Sequence, residues 1–301
     1  MYLKLKTISI VACLAIVSCK NTNSETKKAE TKTIKPIEKT AAEIARGFYQ
    51  DVCVNKDITK FDTYVAKKYD QYATGYEDGA EALRKELTAA SKNKNMKVTI
   101  LRVIGEGNYA ALHSLWEEGG QQYLYVDIWR VENGKLMAHW DQTQQPIKNP
   151  LNKNTIYSGP DISLDANQNI EQNRTRAIAV LKTFDNVNDL SAVENYISEH
   201  YIQHNPTLKD GKAALLDLFK TLQGIKFKNT TTIAKTIAQG DMVMVHSKTI
   251  DPTNSKDLGT GVIDIFRFDK EGKIAEHWDI IEPLTGKSLN KNDSFSYPYK
   301  D

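Results

Sequence analysis

The chain has 301 residues, 40% of them hydrophobic and 26% charged, with a formal net charge of +2. This length leaves room for two domains of ordinary size, and the composition is that of a globular protein rather than a disordered or fibrous one. A charge this balanced makes no electrostatic case for nucleic acid or for a strongly acidic partner. The first element in chain order is "MYLKLKTISIVACLAIVSC", with Lys4 and Lys6, an apolar run from Ile8 to Val17, and Ser18-Cys19. A basic head, a short apolar core and a small residue before a cut site predict an export signal over residues 1–18. The apolar core is about half the ~20 residues that a membrane-spanning helix needs.

Ile16-Val17-Ser18-Cys19 resembles the lipobox of bacterial lipoproteins, with Ile16 where Leu is more usual. That resemblance implies cleavage before Cys19, lipidation of its thiol, and a lipid-anchored protein of the bacterial cell envelope, periplasmic or outer membrane. An ordinary secretory signal with an incidental cysteine is the alternative. Cleavage there removes Lys4 and Lys6 and brings the net charge from +2 to 0. Residues 19–40 read as a flexible tether: Lys20 to Thr40 has six Lys, three Glu and no aromatic residue, too little apolar surface to offset the entropy of ordering. Cys13 leaves with the signal, so Cys53 stands alone and no intramolecular disulfide is expected. In "FYQDVCVN" it reads as a small, partly buried helix residue.

The rest of the chain repeats itself. "VDIWRVENGKLMAHWDQTQQP" (126–146) matches "IDIFRFDKEGKIAEHWDIIEP" (263–283), and "VIGEGNYAALHS" (103–114) matches "TIAQGDMVMVHS" (236–247). "YDQYATGYEDG" (69–79) shares its frame with "YIQHNPTLKDG" (201–211), although Tyr72-Ala73-Thr74 stands where the later copy has His204-Asn205-Pro206. The offset grows from 132 at Tyr69/Tyr201 to 133 at His113/His246 and 138 at His139/His277, which places small insertions in loops of the second copy. Each copy opens on a helical stripe, Ala41, Ile44, Ala45, Phe48 and Val52, or Ala177, Val180, Leu181 and Phe184. A short second helix leads to Tyr64 or Tyr196, and a third follows the Asp-Gly, over 80–87 or 212–222. The later half of each copy turns to strand composition, with Asn133-Gly134 and Lys270-Glu271-Gly272-Lys273 as hairpin turns. Helices followed by an antiparallel meander predict an α+β class. The expected organisation is domain 1 over 41–146, a linker over 147–170 rich in Pro and Asn, domain 2 over 171–285, and a C-terminal tail over 286–301.

"YIQHNP…DG", "GDMVMVHS" and "DIFRFDKEGKIAEHWDIIEP" together resemble the SnoaL-like branch of the nuclear-transport-factor-two-like superfamily. The resemblance covers about 41–146 and 171–285, with "QHNP" in the second copy only. It implies two cone-shaped domains, each a curved antiparallel sheet around about three helices with a pocket at its open end, and domains that pair sheet to sheet. Superfamily members include polyketide cyclases, ketosteroid isomerases and epoxide hydrolases beside proteins that only bind or assemble, so the fold does not decide the function.

Strand alternation sorts the candidate residues. Val262, Asp264, Phe266 and Phe268 share one face, and a carboxylate among them loses hydration, which raises its pKa as a general acid or base requires. His277, Asp279 and Ile281 share a face of the last strand, so His277 and Asp279 are offered to one ligand, with Glu276, Trp278 and Ile280 turned away. Asp127, His139 and Asp141 repeat the pattern in copy one; pairing with a neighbouring amide or Arg, or a place at a domain interface, is the structural alternative. His246, with Met242 and Met244 on its face, reads either as a hydrogen-bonded core residue or as a group that polarises the ligand. His204, before Asn205-Pro206, is expected to hold an imidazole at the pocket mouth. His204, His246 and His277 also raise a zinc reading, but no compact ligand motif joins them. No phosphate-binding loop, nucleophile elbow or CxxC pair occurs.

Two readings remain open. In one, the second domain is an acid/base catalyst of aldol-condensation or cyclisation type on a small carbonyl compound, with His204, His277 and Asp279 moving protons, Asp264 orienting or sharing charge, and His246 polarising the ligand; it requires no organic cofactor. In the other, an envelope lipoprotein binds a small apolar ligand or assembles without catalysis.

Overall fold

The computed structural model describes residues 39–163 and 167–299; the expected export signal, Cys19 and all but the last two residues of the expected tether lie outside the described residues. The first repeat runs α1 (Ala41–Phe48), a π-helical continuation Tyr49–Val54, a 3-10 turn Ile58–Lys60, α2 (Phe61–Tyr64), β1 (Val65–Gln71), α3 (Ala80–Lys92), β2 (Lys97–Glu106), β3 (Tyr109–Glu118), β4 (Gln121–Glu132) and β5 (Lys135–Gln144). The second runs α4 (Ile170–Lys182), α5 (Ser191–Tyr196), β6 (Ile197–Gln203), α6 (Lys212–Gly224), β7 (Thr230–Gln239), β8 (Met242–Ile250), β9 (Thr260–Phe268) and β10 (Ile274–Pro283). The two sheets have the same order, β1-β5-β4-β3-β2 and β6-β10-β9-β8-β7.

The meanders are antiparallel, but the first strand of each repeat pairs parallel with the last. These strands, "VAKKYDQ" and "ISEHYIQ", escape a sequence reading because most of their residues are polar or charged, as befits an edge. Each ends on a glutamine whose backbone N–H donates to the carboxylate of Asp78 or Asp210 at 2.8 Å. The following Gly79 and Gly211 take φ of +94° and +89° and lead into α3 and α6. The Asp-Gly is thus a joint between strand and helix, and only glycine takes that backbone conformation without strain. Asn133 and Gly134 both have positive φ, as the tight hairpin between β4 and β5 demands.

In each repeat the helices pack on one face of the sheet, where Phe48, Phe61 and Trp129 anchor one core and Ala177, Phe219 and Phe266 the other. The opposite faces contribute to one shared apolar cluster that includes Trp140, Trp278, Met244 and Ile128. Contacts across it are reciprocal. Gly105 N–H donates to Gln239 Oε1 while Ala238 N–H donates to Glu106 Oε2, and Thr143 N–H donates to Glu282 while Ile281 N–H donates to Gln144. Such pairing is what a two-fold relation between like units produces.

The segments expected as linker and tail are themselves a repeat, "LNKNTIYSGP" (151–160) and "LNKNDSFSYP" (289–298). Each straps the other repeat. Asn152 and Asn154 donate to the carbonyls of Asn205 and Gln203, whereas Asn290 and Asn292 donate to those of Ala73 and Gln71. Trp278 Nε1 donates to Ser158 O and Trp140 Nε1 to Ser296 O.

Candidate active site

A cavity of about 300 Å³ opens in the second repeat between the sheet and helices α4 and α6. Strand alternation on β9 turns Val262, Asp264 and Phe266 into it, and on β10 His277, Asp279 and Ile281. Apolar walls come from Leu181, Phe184, Leu215 and Phe219, so Asp264 and Asp279, 4% and 5% exposed, have little contact with water.

Hydrogen bonds fix the protons. The backbone N–H of Asn205 donates to Gln203 Oε1 at 2.8 Å, which makes that oxygen an acceptor, and Gln203 Nε2 donates to Tyr201 Oη at 2.9 Å. His277 Nδ1, 3.0 Å from Gln203 Oε1, therefore carries a hydrogen. His277 Nε2 lies 2.9 Å from Asp264 Oδ1. Burial pulls the His277 pKa down, but the hydrogen bond to Asp264 and the charges of Asp279 and Asp264 outweigh it and leave it above the usual 6.5. His277 thus bridges Gln203 and Asp264, and the site favours its protonated form, which can donate to both. Asp279 moves the opposite way from an ordinary carboxylate: burial raises its pKa above 3.8, the Asp264 charge adds to this, and His277 and Asn205 oppose it. Asn205 Nδ2 donates to Asp279 Oδ2 at 2.8 Å, so a proton on Asp279 would sit on Oδ1. Among the described residues of this cavity, two buried side-chain oxygens have no hydrogen-bond partner, Asp264 Oδ2 and Asp279 Oδ1. Asp264 and Asp279 therefore meet different neighbours in one site, His277 on the first and Asn205 on the second.

The structure brings together Asp264, His277 and Asp279 but not His204 or His246. His204 was expected at the pocket mouth; it lies on the opposite face of the sheet, stacked 4.7 Å from Trp278, with Nε2 on Glu276 Oε1 at 2.8 Å and Nδ1 on Thr155 O at 2.7 Å. Strand β6 ends at Gln203, and the next residue turns outward. Its twin Tyr72 stacks at 4.5 Å on Trp140 in the same way. His246 also faces the shared cluster, with Nδ1 2.8 Å from Tyr297 Oη, and burial takes its pKa down to about 3. The three histidines cannot share one zinc ion. A compact donor set exists elsewhere: Asp264, His277 and Asp279 offer ligand atoms within 4.8 Å of one another, as do Asp127, His139 and Asp141.

The first repeat keeps the same frame around a smaller cavity of about 200 Å³. His139 bridges Gln71 Oε1 and Asp127 Oδ1 at 3.0 and 2.8 Å. Here, however, Tyr49 Oη donates to Asp127 Oδ2 at 2.5 Å. Tyr49, Tyr76, Trp116 and Tyr125 line this cavity where Leu181, Leu208, Thr249 and Val262 line the other. Cys53 also lines it, and burial together with the Asp127 charge raises its thiol pKa, so it is no nucleophile.

Sequence comparison identifies the model for the SnoaL-like domain over residues 45–139 and again over 179–277. No curated protein matches the chain. Among solved structures, a proposed ketosteroid isomerase from Kribbella flavida matches at 15% identity over 36% of this chain and 82% of its own, with a TM-score of 0.32. A proposed polyketide cyclase from Acidithiobacillus ferrooxidans matches at 18% over 36% and 92%, TM-score 0.30. An LEH-like epoxide hydrolase from M. tuberculosis matches at 15% over 35% and 82%, TM-score 0.31.

Proposed function

From a chain that belongs to the SnoaL-like domain family in both repeats, we infer that the second cavity is an acid/base site that enolises a small, neutral carbonyl compound, as aldol condensation or cyclisation requires. The observation that carries this reading is the pair of buried, unpartnered oxygens, Asp264 Oδ2 and Asp279 Oδ1, on one cavity wall beside His277. Asp264 Oδ2 takes the proton from the carbon next to the carbonyl. Asp279 gives its proton from Oδ1 to the carbonyl oxygen, so the product is a neutral enol. His277, held by Gln203, donates to Asp264 Oδ1 and keeps the other oxygen aimed at the ligand. Positioned proton transfer of this kind contributes ~10²–10⁴ in rate.

The two repeats act as each other's partner through their reciprocal contacts, and the first domain serves as scaffold. Lipidation at Cys19 anchors the pair in the bacterial envelope, which a Cys19→Ser variant tests by leaving the membrane fraction. The catalytic reading is tested in deuterated water, where enolisation exchanges the protons beside a ketone carbonyl. A panel of cyclic and open-chain ketones is incubated with wild type, Asp264→Ala and His277→Ala. Exchange that depends on both residues supports the assignment, and equal exchange in all three rejects it. A non-catalytic carrier would instead retain a ligand through purification and exchange no ketone.

A further inference from the structure

We propose that the second cavity recognises a phenol, an apolar ring whose hydroxyl donates to Asp264 Oδ2 and which lies where the ring of Tyr49 lies in the first repeat. This deepens the reading of the second cavity as a ligand site and rests on it. The two repeats act as an internal comparison of an occupied and an open site. In the first, Asp127 Oδ1 is held by His139 and Oδ2 by the Tyr49 phenol. In the second, Asp264 Oδ1 is held by His277 in the same way, and Oδ2 has no partner.

The cause is one position. Leu181 stands 132 residues after Tyr49, the offset that relates Tyr69 to Tyr201, and both residues line their cavities. Leucine removes the hydroxyl and part of the ring while the carboxylate, the imidazole and the glutamine behind it stay. The smaller residues at Leu208, Thr249 and Val262 widen the same end. The space left is bordered by Phe184, Phe219 and Phe266, which suits a flat ring. Among the described residues no lysine or arginine lines the cavity, so a neutral hydroxyl is favoured over an anion.

The probe is p-cresol, the tyrosine side chain itself, titrated by calorimetry against the full chain beside toluene and benzylamine. The expected result is p-cresol bound about tenfold or more tighter than toluene, the difference a hydrogen bond to a charged acceptor makes. Asp264→Asn should erase most of that preference. Leu181→Tyr should abolish p-cresol binding, and Leu181→Met should keep it, with circular dichroism confirming that each variant is folded. Toluene binding as well as p-cresol, benzylamine binding more tightly than both, or Leu181→Tyr binding like wild type would each overturn the proposal. The two readings fail separately. Binding of p-cresol without ketone exchange removes catalysis alone, and ketone exchange without preference for p-cresol over toluene removes this proposal alone.

Discussion

The two cavities share a glutamine, a histidine and an aspartate in the same hydrogen-bonded arrangement, with a second aspartate beside them that Asn205 holds in the second repeat only, yet one is filled by its own chain and the other is not. In the first repeat the Tyr49 hydroxyl closes Asp127, and Tyr76, Trp116 and Tyr125 take up much of the remaining volume. In the second, leucine, threonine and valine at the matching positions leave about 300 Å³ and two carboxylate oxygens unpartnered. A buried acceptor without a partner costs ~1–3 kcal/mol. The first repeat avoids that cost and behaves as structure; the second bears it, as a site awaiting a ligand does. The presence of the aspartates and the histidine therefore does not by itself make a site; what lies over them does.

The contrast is sharpest at the aspartates. Asp264→Asn should lower ketone exchange by ~10²–10⁴, whereas Asp127→Asn should leave the rate unchanged, both read by proton NMR in deuterated water. Tyr49→Phe leaves Asp127 Oδ2 buried and bare, so it should cost ~1–3 kcal/mol of stability in urea denaturation, while exchange in the second cavity stays the same. A pH series probes the outer faces. His246 falls from 6.5 to about 3 on folding, so its contribution is present above pH 6.5 and is lost as pH falls through 6.5 toward about 3. Between pH 6.5 and 5 that loss amounts to roughly 2 kcal/mol, and His246→Gln should flatten the acid side of the stability profile by that amount. The smallest effect on activity is expected at His204→Tyr, which imports the Tyr72 of the first repeat. The ring should still stack on Trp278, and ketone exchange should not change, because His204 faces away from the cavity.

Much of this was legible from residues alone. Two-residue alternation placed Asp264 with Val262 and Phe266, and His277 with Asp279 and Ile281, on the faces observed, because side chains on a paired strand have only two directions. His204 was misplaced because it follows the last strand residue, where alternation no longer applies, and a turn residue's direction depends on what it packs against. Strands β1 and β6 were missed because edge strands need no apolar alternation. The straps were readable as "LNKN" and "S-x-P" at 151–160 and 289–298, but only the structure shows that each crosses to the other repeat. The Tyr49/Leu181 difference was also present in the sequence at the 132-residue offset. Its meaning depends on a contact between a helix and a strand that no local pattern encodes.

Whether a tyrosine stands at position 49 or 181 decides whether the aspartate beneath it is covered, and an exchange of those side chains tests this directly. Ketone exchange in deuterated water is measured for wild type, Leu181→Tyr and Tyr49→Leu, each shown to be folded. Leu181→Tyr should abolish exchange, and Tyr49→Leu should leave the second cavity fully active. Wild-type exchange in Leu181→Tyr, or its loss in Tyr49→Leu, would contradict it.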